Sequence, residues 1–269
     1  MKAGVAFRPM RKLFDGEATQ TDGKNDQAVR SFFDQQSAYY SNFFSAGTQT
    51  GAAVLFRVRM ALCVELLAGR SGTLIDCASG TGEISRAVAF ACPWKHIFLN
   101  DLSPLMIERC HEVMSDFPAE TRVSWNVGSV FDLNKTLNGS RFDVALCLGL
   151  IAHCGRLPQL LREVRELLKE DGVLALQSSL LDHTGVVITN LAARSFLLGG
   201  DYRVECFRLK TILAEAGRAG FEPVAVRRFG VCLPFGDRIL GRVNYWLERK
   251  FALRLERSGG EALIILRKR

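Results

Sequence analysis

The sequence predicts a doubly wound α/β fold, a parallel sheet covered by helices on both faces, and three observations carry that expectation. Short apolar runs of strand length alternate with segments of helical periodicity from about residue 73 onward. The first run, Leu74-Ile75-Asp76-Cys77-Ala78-Ser79-Gly80-Thr81-Gly82, closes on an acid and a glycine-bearing loop. The second, Phe98-Leu99-Asn100-Asp101-Leu102-Ser103-Pro104, ends in another acid nineteen residues after Gly82. Strand, glycine loop, helix, strand and terminal acid make up one β-α-β unit with a nucleoside-like ligand across its loop ends.

Residues 1 to about 27 show little periodicity and read as a flexible arm. From Ala28 to Leu67 the spacing is helical, and Gly47 and Gly51 break it in two. Strands are then expected at Thr73 to Cys77, Ile97 to Asp101, Val123 to Val127, Phe142 to Leu148 and Val173 to Gln177. Helices are expected at Glu83 to Cys92, Pro104 to Phe117 and Leu157 to Lys169. A further helix, Leu209 to Ala219, precedes a strand at Glu222 to Val231 and a final apolar run at Ala262 to Leu266.

Two segments stand outside the alternation. Leu180 to Glu205 is long for a connection and carries His183, Asn190, Arg194 and Tyr202, which suggests a lid or binding loop. Asp237 to Arg257 places Leu240, Val243, Leu247, Phe251 and Leu255 at helical spacing among arginines, the pattern of a basic amphipathic helix.

The 269 residues are 48% hydrophobic, enough for a substantial core, yet no apolar run reaches the ~18 residues that span a bilayer. The N-terminal residues lack the apolar stretch of a secretory signal, so a cytoplasmic location is expected. Eight scattered cysteines without a CxxC pair argue against a disulfide framework. Neither they nor the four histidines have ligand spacing, so no metal site is expected. The net charge is +7, and from Val226 to Arg269 eleven Lys/Arg face four Asp/Glu, which accounts for the whole excess. Such a balance is either a solvated face or an attraction for an anionic substrate or membrane surface. The charge is not interleaved with a stacking platform, so nucleic acid is not the expected partner.

On the glycine loop and Asp101 the chain resembles class I S-adenosylmethionine-dependent methyltransferases, in particular the small-molecule family of ubiquinone-type and Mg-protoporphyrin-type O-methyltransferases. The resemblance spans roughly Ser31 to Arg269. It implies a Rossmann-like, mostly parallel seven-stranded sheet with an antiparallel last strand, plus an N-terminal helical cap. The implied organisation is an arm at 1–27, a cap at 28–70 and a core at 71–269 with inserts at about 180–205 and 237–257.

The same resemblance assigns the cofactor contacts. Asp76 stands near the methionine amino group, and Ala78 replaces the family's first glycine. Gly80 and Gly82 turn beneath the methionine part, and Ser85 replaces a third glycine. Asp101, beside Leu102, is placed to accept from the two ribose hydroxyls. Ser129 sits where related enzymes often carry an acid for the adenine amino group. Either its hydroxyl substitutes or Asp132 reaches in, while Val130 offers its backbone. Leu148 lines the cofactor floor. Tyr39 or Tyr40 closes on the methionine end, and Arg57 or Arg59 meets its carboxylate, with Tyr39 and Arg59 preferred.

Methyl transfer needs positioning and water exclusion more than covalent help, so catalytic residues are less legible than cofactor contacts. His153 is the first candidate for a general base and His183 the second; a loop-holding role is the alternative for His153. The absence of an Asn/Asp-Pro-Pro-Tyr sequence argues against action on nucleobase amines. The expected activity is methyl transfer to a small, fairly apolar acceptor at oxygen, as part of small-molecule biosynthesis. Carbon or nitrogen acceptors and a cofactor-binding scaffold without turnover stay open.

Overall fold

The computed structural model describes residues 24–117, 120–194 and 204–269. Residues 1–23 of the expected arm and Tyr202 lie outside the described residues, while 24–27, expected as the end of the arm, belong to the first helix. Two helices come first, α1 (Lys24–Tyr40) and α2 (Gly51–Leu67), joined by a 3-10 turn. The side chain of Thr50 caps α2 by accepting from the Ala53 N–H at 3.2 Å.

The sheet follows in the order β3-β2-β1-β4-β5-β7-β6. Its strands are β1 (Gly72–Asp76), β2 (Trp94–Asp101), β3 (Arg122–Val127), β4 (Phe142–Leu148), β5 (Leu168–Ser179), β6 (Phe221–Phe229) and β7 (Glu261–Lys268). β1 to β5 pair parallel, and β7 runs antiparallel to both β5 and β6. The doubly wound sheet with an antiparallel last strand is therefore as expected.

Both faces of the central strands are apolar because both are covered. Ile75 and Ala145 join one core with Leu160, Leu161 and Val164; Leu74 and Val144 join the other with Leu62 and Cys63. The crossover helices are α3 (Glu83–Ala91), α4 (Pro104–Val113) and the short α5 (Leu133–Thr136) and α6 (Leu150–Cys154), followed by α7 (Leu157–Leu167), α8 (Thr184–Arg194) and α9 (Leu209–Arg218). Helix α7 shows the rule: Leu157, Leu160, Leu161, Val164 and Leu167 form one buried stripe. Helix α4 starts at Pro104 and is capped by Ser103, whose oxygen accepts from the Met106 N–H at 3.1 Å.

The basic segment departs from the single helix expected. It is α10 (Gly236–Ile239), α11 (Arg242–Phe251) and a 3-10 turn at Ala252–Arg254. Gly241, at φ 49° and ψ −117°, interrupts the helix between α10 and α11. The segment after β5 contains α8 rather than a plain loop, since Thr184 onward keeps helical spacing.

Candidate active site

The strand order reverses between β1 and β4, and in such sheets ligands bind beyond the carboxyl ends of the strands at that switch. A cavity of about 250 Å³ opens there. Its wall includes Ala78, Gly80, Asp101, Leu102, Ser129, Val130 and Leu148 from the sheet side. Helices α1 and α2 lie over it and contribute Asp26, Phe33, Tyr40, Phe56 and Arg59.

Asp101, at the tip of β2, is 8% exposed. Its Oδ2 accepts from the Gly80 N–H and its Oδ1 from the Ser103 N–H, both at 2.9 Å. The acid thus ties the glycine loop to the start of α4. Burial pushes its carboxyl up to about 6. Gly80 has φ +54°, and a Cβ there would stand 3.2 Å from the Tyr40 ring. The loop therefore approaches the cap as only glycine allows.

Asp76 behaves differently. It is 2% exposed but does not line the cavity. Its Oδ2 accepts from the Ser85 hydroxyl at 2.5 Å, and its Oδ1 accepts from the Ala78 N–H at 3.2 Å. Ser85, in place of a glycine, thus pins α3 to the end of β1. Burial pushes the Asp76 carboxyl up to about 7. Gly82 also lies behind the wall: with φ +88° it turns the chain into α3, and a Cβ would meet Cys110 Sγ at 2.6 Å.

A stability prediction follows from Asp76. Its folded carboxyl titrates near 7, against about 3.9 when unfolded. The stability from that retained proton is complete below about 4 and lost as pH rises through 7. Asp76→Asn resembles the protonated acid, so its Tm advantage over the parent protein should widen by about 4–8 °C between pH 5 and pH 8. Calorimetry across that range checks it, and the affinity for cofactor should move less than about threefold because the side chain faces away from the cavity.

At the far end, Ser129 faces a carboxylate after all. Its hydroxyl donates to Asp26 Oδ2 of α1 at 3.4 Å, and Arg156 Nη2 donates to Asp26 Oδ1 at 3.4 Å. Asp132 is exposed and points away, near Lys135. The acid at this position comes from α1, not from the strand's own loop. A second tie joins α1 to the core: the Ser103 hydroxyl donates to Asp34 Oδ1 at 2.5 Å.

The cap also resolves two paired alternatives. Tyr39 is 67% exposed, whereas Tyr40 lines the cavity and packs edge-on against Phe33 and Phe56. Neighbours on a helix point about 100° apart, so only one of the two faces inward. Arg57 donates to the carbonyls of Ser45 and Thr48, which leaves Arg59 on the cavity wall.

Arg59 Nε is buried without a hydrogen-bond partner, and so is Gln177 Oε1. Both side chains approach Gly149, where a Cβ would lie 3.7 Å from Arg59 Nη1 and 3.7 Å from Gln177 Oε1. Gln177, at the end of β5, is 1% exposed. Its amide nitrogen donates to Glu261 Oε2, and Ser179 Oγ donates to Glu261 Oε1 at 2.7 Å. The result is one free donor and one free acceptor in a dry place.

His153, on α6, lines the cavity, with its ring edge-on to Phe33 at 4.9 Å. Burial and the nearby Arg59 charge lower it to about 4, so it is neutral at physiological pH. His183 lies outside the cavity at the start of α8, lowered by burial and by Arg228. His96 accepts or donates with Ser124 Oγ at 3.0 Å, and His111 stacks on Trp125. Sequence reasoning missed Asp26, Phe33, Phe56, Gln177 and Glu261. For Gln177 a signal existed: it closes an apolar strand with a polar side chain, as Asp76 and Asp101 do.

Fold and site together define a doubly wound α/β protein with a capped cavity at the switch point of its sheet. A family model described as a methyltransferase domain matches residues 69–212, just over half of the chain, and the chain belongs to that family. It is a class I S-adenosylmethionine-dependent methyltransferase, with S-adenosylmethionine as its cofactor. Among curated proteins no sequence relative matches.

Solved structures share the fold at low identity. The magnesium protoporphyrin IX methyltransferase of Synechocystis PCC 6803, with bound S-adenosylhomocysteine, has a TM-score of 0.64 and 12% identity over 90% of this chain and 99% of that one. The N-methyltransferase NodS of Bradyrhizobium japonicum WM9 has a TM-score of 0.58 and 13% identity, covering 90% and 98%. The [4+2]-cyclase SpnF has a TM-score of 0.59 and 17% identity, covering 90% and 96%.

Proposed function

We propose that the protein methylates a small, fairly apolar acceptor at an oxygen atom within the capped cavity. The observation that carries the reading is the neutral His153 ring beside Arg59 and the orphaned Gln177 oxygen, walled by Phe33, Tyr40 and Phe56. S-adenosylmethionine supplies a methyl carbon already activated by its sulfonium. Asp101 has lone pairs left for the ribose hydroxyls after its two backbone contacts. Arg59 and Gln177 offer a donor and an acceptor that suit the carboxylate and ammonium of the methionine part. Ser129 with Asp26 takes the adenine end.

The protein's remaining task is to orient the acceptor and keep water out. A ring titrating near 4 is a weak proton sink, since bases work best with a pKa near the working pH. His153 therefore serves as a hydrogen-bond acceptor that aims the substrate hydroxyl, and its ring nitrogen takes the proton from the strongly acidic oxonium that forms as the O–CH₃ bond replaces the S–CH₃ bond. Carbon or nitrogen acceptors would not need that contact. SpnF, named as a cyclase, carries the same fold, so turnover must be measured directly.

The test is release of demethylated cofactor with a panel of apolar phenols, enols and carboxylic acids set against amines of the same skeleton. Turnover confined to the oxygen series is expected, and turnover confined to amines overturns the reading. With the best acceptor, His153→Ala should lower kcat about 10–100-fold at unchanged cofactor affinity. A loss of less than about threefold would reduce the ring to a packing role.

A further inference from the structure

The segment Gly236–Arg254 buries polar side chains and leaves apolar ones exposed. The side of α11 that meets the protein sets two buried polar side chains beside the half-buried Leu247 and Phe251. Asn244 and Glu248, one turn apart, are 5% and 1% exposed. Asn244 Nδ2 donates to Asp237 Oδ1 at 2.9 Å, and Glu248 accepts from the Val231 and Cys232 N–H groups at 2.9 and 2.7 Å. Asp237 in turn accepts from the Gly51 and Ala52 N–H groups at the start of α2, at 2.6 and 2.9 Å. Polar contacts therefore fix the unit to the helix that carries Phe56 and Arg59.

The opposite side is apolar and open to solvent. Ile239 is 69% exposed, Val243 56%, Trp246 52% and Leu253 55%. Val243 and Trp246 are three residues apart and share the outer face, with Lys250 folded over the indole at 4.8 Å. Around them stand Arg238, Arg242, Arg249, Arg254 and Arg257. Among the described residues, none of these six cations forms an ion pair. The acids of 237–257 are committed elsewhere: Asp237 and Glu248 to backbone amides, and Glu256 to Arg227 at 3.1 Å.

We infer that this face docks onto an anionic lipid surface, with Ile239, Val243, Trp246 and Leu253 in the headgroup boundary and the cations on lipid phosphates or carboxylates. Charge complementarity selects the occupant. A second copy meeting this patch about a two-fold axis would set six cations against six. Nucleic acid would satisfy the charge but leave three aliphatic side chains without a partner, since among the exposed apolar residues of this face Trp246 alone carries a ring for stacking. An anionic bilayer satisfies both the charge and the apolar side chains. Among the described residues no helix is long and apolar enough to cross a membrane, so the contact is peripheral. The inference stands independently of which acceptor is methylated.

The test is flotation of the full chain with vesicles of phosphatidylcholine alone or with 30–40% phosphatidylserine, roughly the anionic excess needed for a strong surface potential. Binding only to the anionic vesicles is expected, together with a blue shift of Trp246 emission and release in high salt. Arg249→Glu with Lys250→Glu should weaken partition by about tenfold or more. Val243→Glu with Trp246→Glu should abolish it, and both pairs should retain the parental cofactor affinity, which excludes misfolding. Three results would each overturn the inference: equal binding to neutral vesicles, salt-insensitive binding, or capture by single-stranded RNA with no vesicle binding.

Discussion

Asp101→Ala should weaken S-adenosylmethionine binding by about 100-fold or more in calorimetry, with the fold intact. A carboxylate offers four lone-pair sites. In this chain the Gly80 and Ser103 N–H groups occupy one on each oxygen, which leaves one on each for a vicinal diol. Loss of two hydrogen bonds to a charged acceptor, each about 1.5–3 kcal/mol, sets the expected scale. Asp101→Asn should do nearly as badly despite its equal size, because its amide NH₂ must face one of the two backbone N–H donors. Only the ionised acid can serve both backbone donors and the ribose. Its carboxyl sits at about 6 because of burial, so affinity should rise between pH 5 and pH 7.5 by about tenfold and then level off. The same titration costs the cofactor-free protein stability over that range, since the folded acid holds its proton to higher pH than the unfolded one. Cofactor affinity and stability without cofactor should therefore move in opposite directions with pH. An unchanged Kd in Asp101→Ala would remove the ribose assignment.

The residues that read clearly in the sequence are those whose information is local. β1 and β2 each end an apolar run in an acid, and the glycine loop lies within a few residues of the first. Asp101 and Gly80 therefore fall where the spacing puts them, on one cavity wall, and Ser129, Val130 and Leu148, which the family resemblance implies, line the same cavity. Asp76 shares the same local signature yet faces away. The deciding feature is Ser85, whose hydroxyl takes the carboxylate from behind. Nothing in the order of residues says on which side of a strand tip an acid is satisfied. Asp26 was illegible for another reason. It meets Ser129 across 103 positions, and it falls where periodicity is weakest, so only the packing of α1 over the sheet reveals it. Tyr39 and Tyr40 differ by one helical step, and the axis of α1 decides between them. The basic segment reads as one helix because its apolar spacing continues through Gly241, whereas the backbone breaks there.

Arg59→Met should cost both cofactor affinity and stability, and the two losses should separate on a second variant. Arg59 is the positive charge beside the buried Glu261, and it holds down a carboxyl that burial pushes upward. Removing it leaves Glu261 with only the Gln177 and Ser179 donors. A buried carboxyl deprived of its cation either pays for the charge or takes up a proton. The expected loss is about 2–3 kcal/mol, seen as a Tm drop of roughly 4–10 °C. Cofactor affinity should fall by about 100-fold, because the unpartnered Nε and the guanidinium fork leave the cavity together. Arg59→Lys restores the charge beside Glu261 but not the planar fork, so it should recover most of the Tm and little of the affinity. Arg57→Met, two residues away, is tied to the Ser45 and Thr48 carbonyls and should leave affinity unchanged. His153 supplies an independent readout. Its ring is lowered to about 4 by burial first and by the Arg59 charge second. Its titration, followed by NMR of labelled histidine, should therefore move upward in Arg59→Met and stay in place in Arg59→Lys. A His153 titration unmoved in Arg59→Met would mean that the guanidinium does not act on the acceptor end of the cavity.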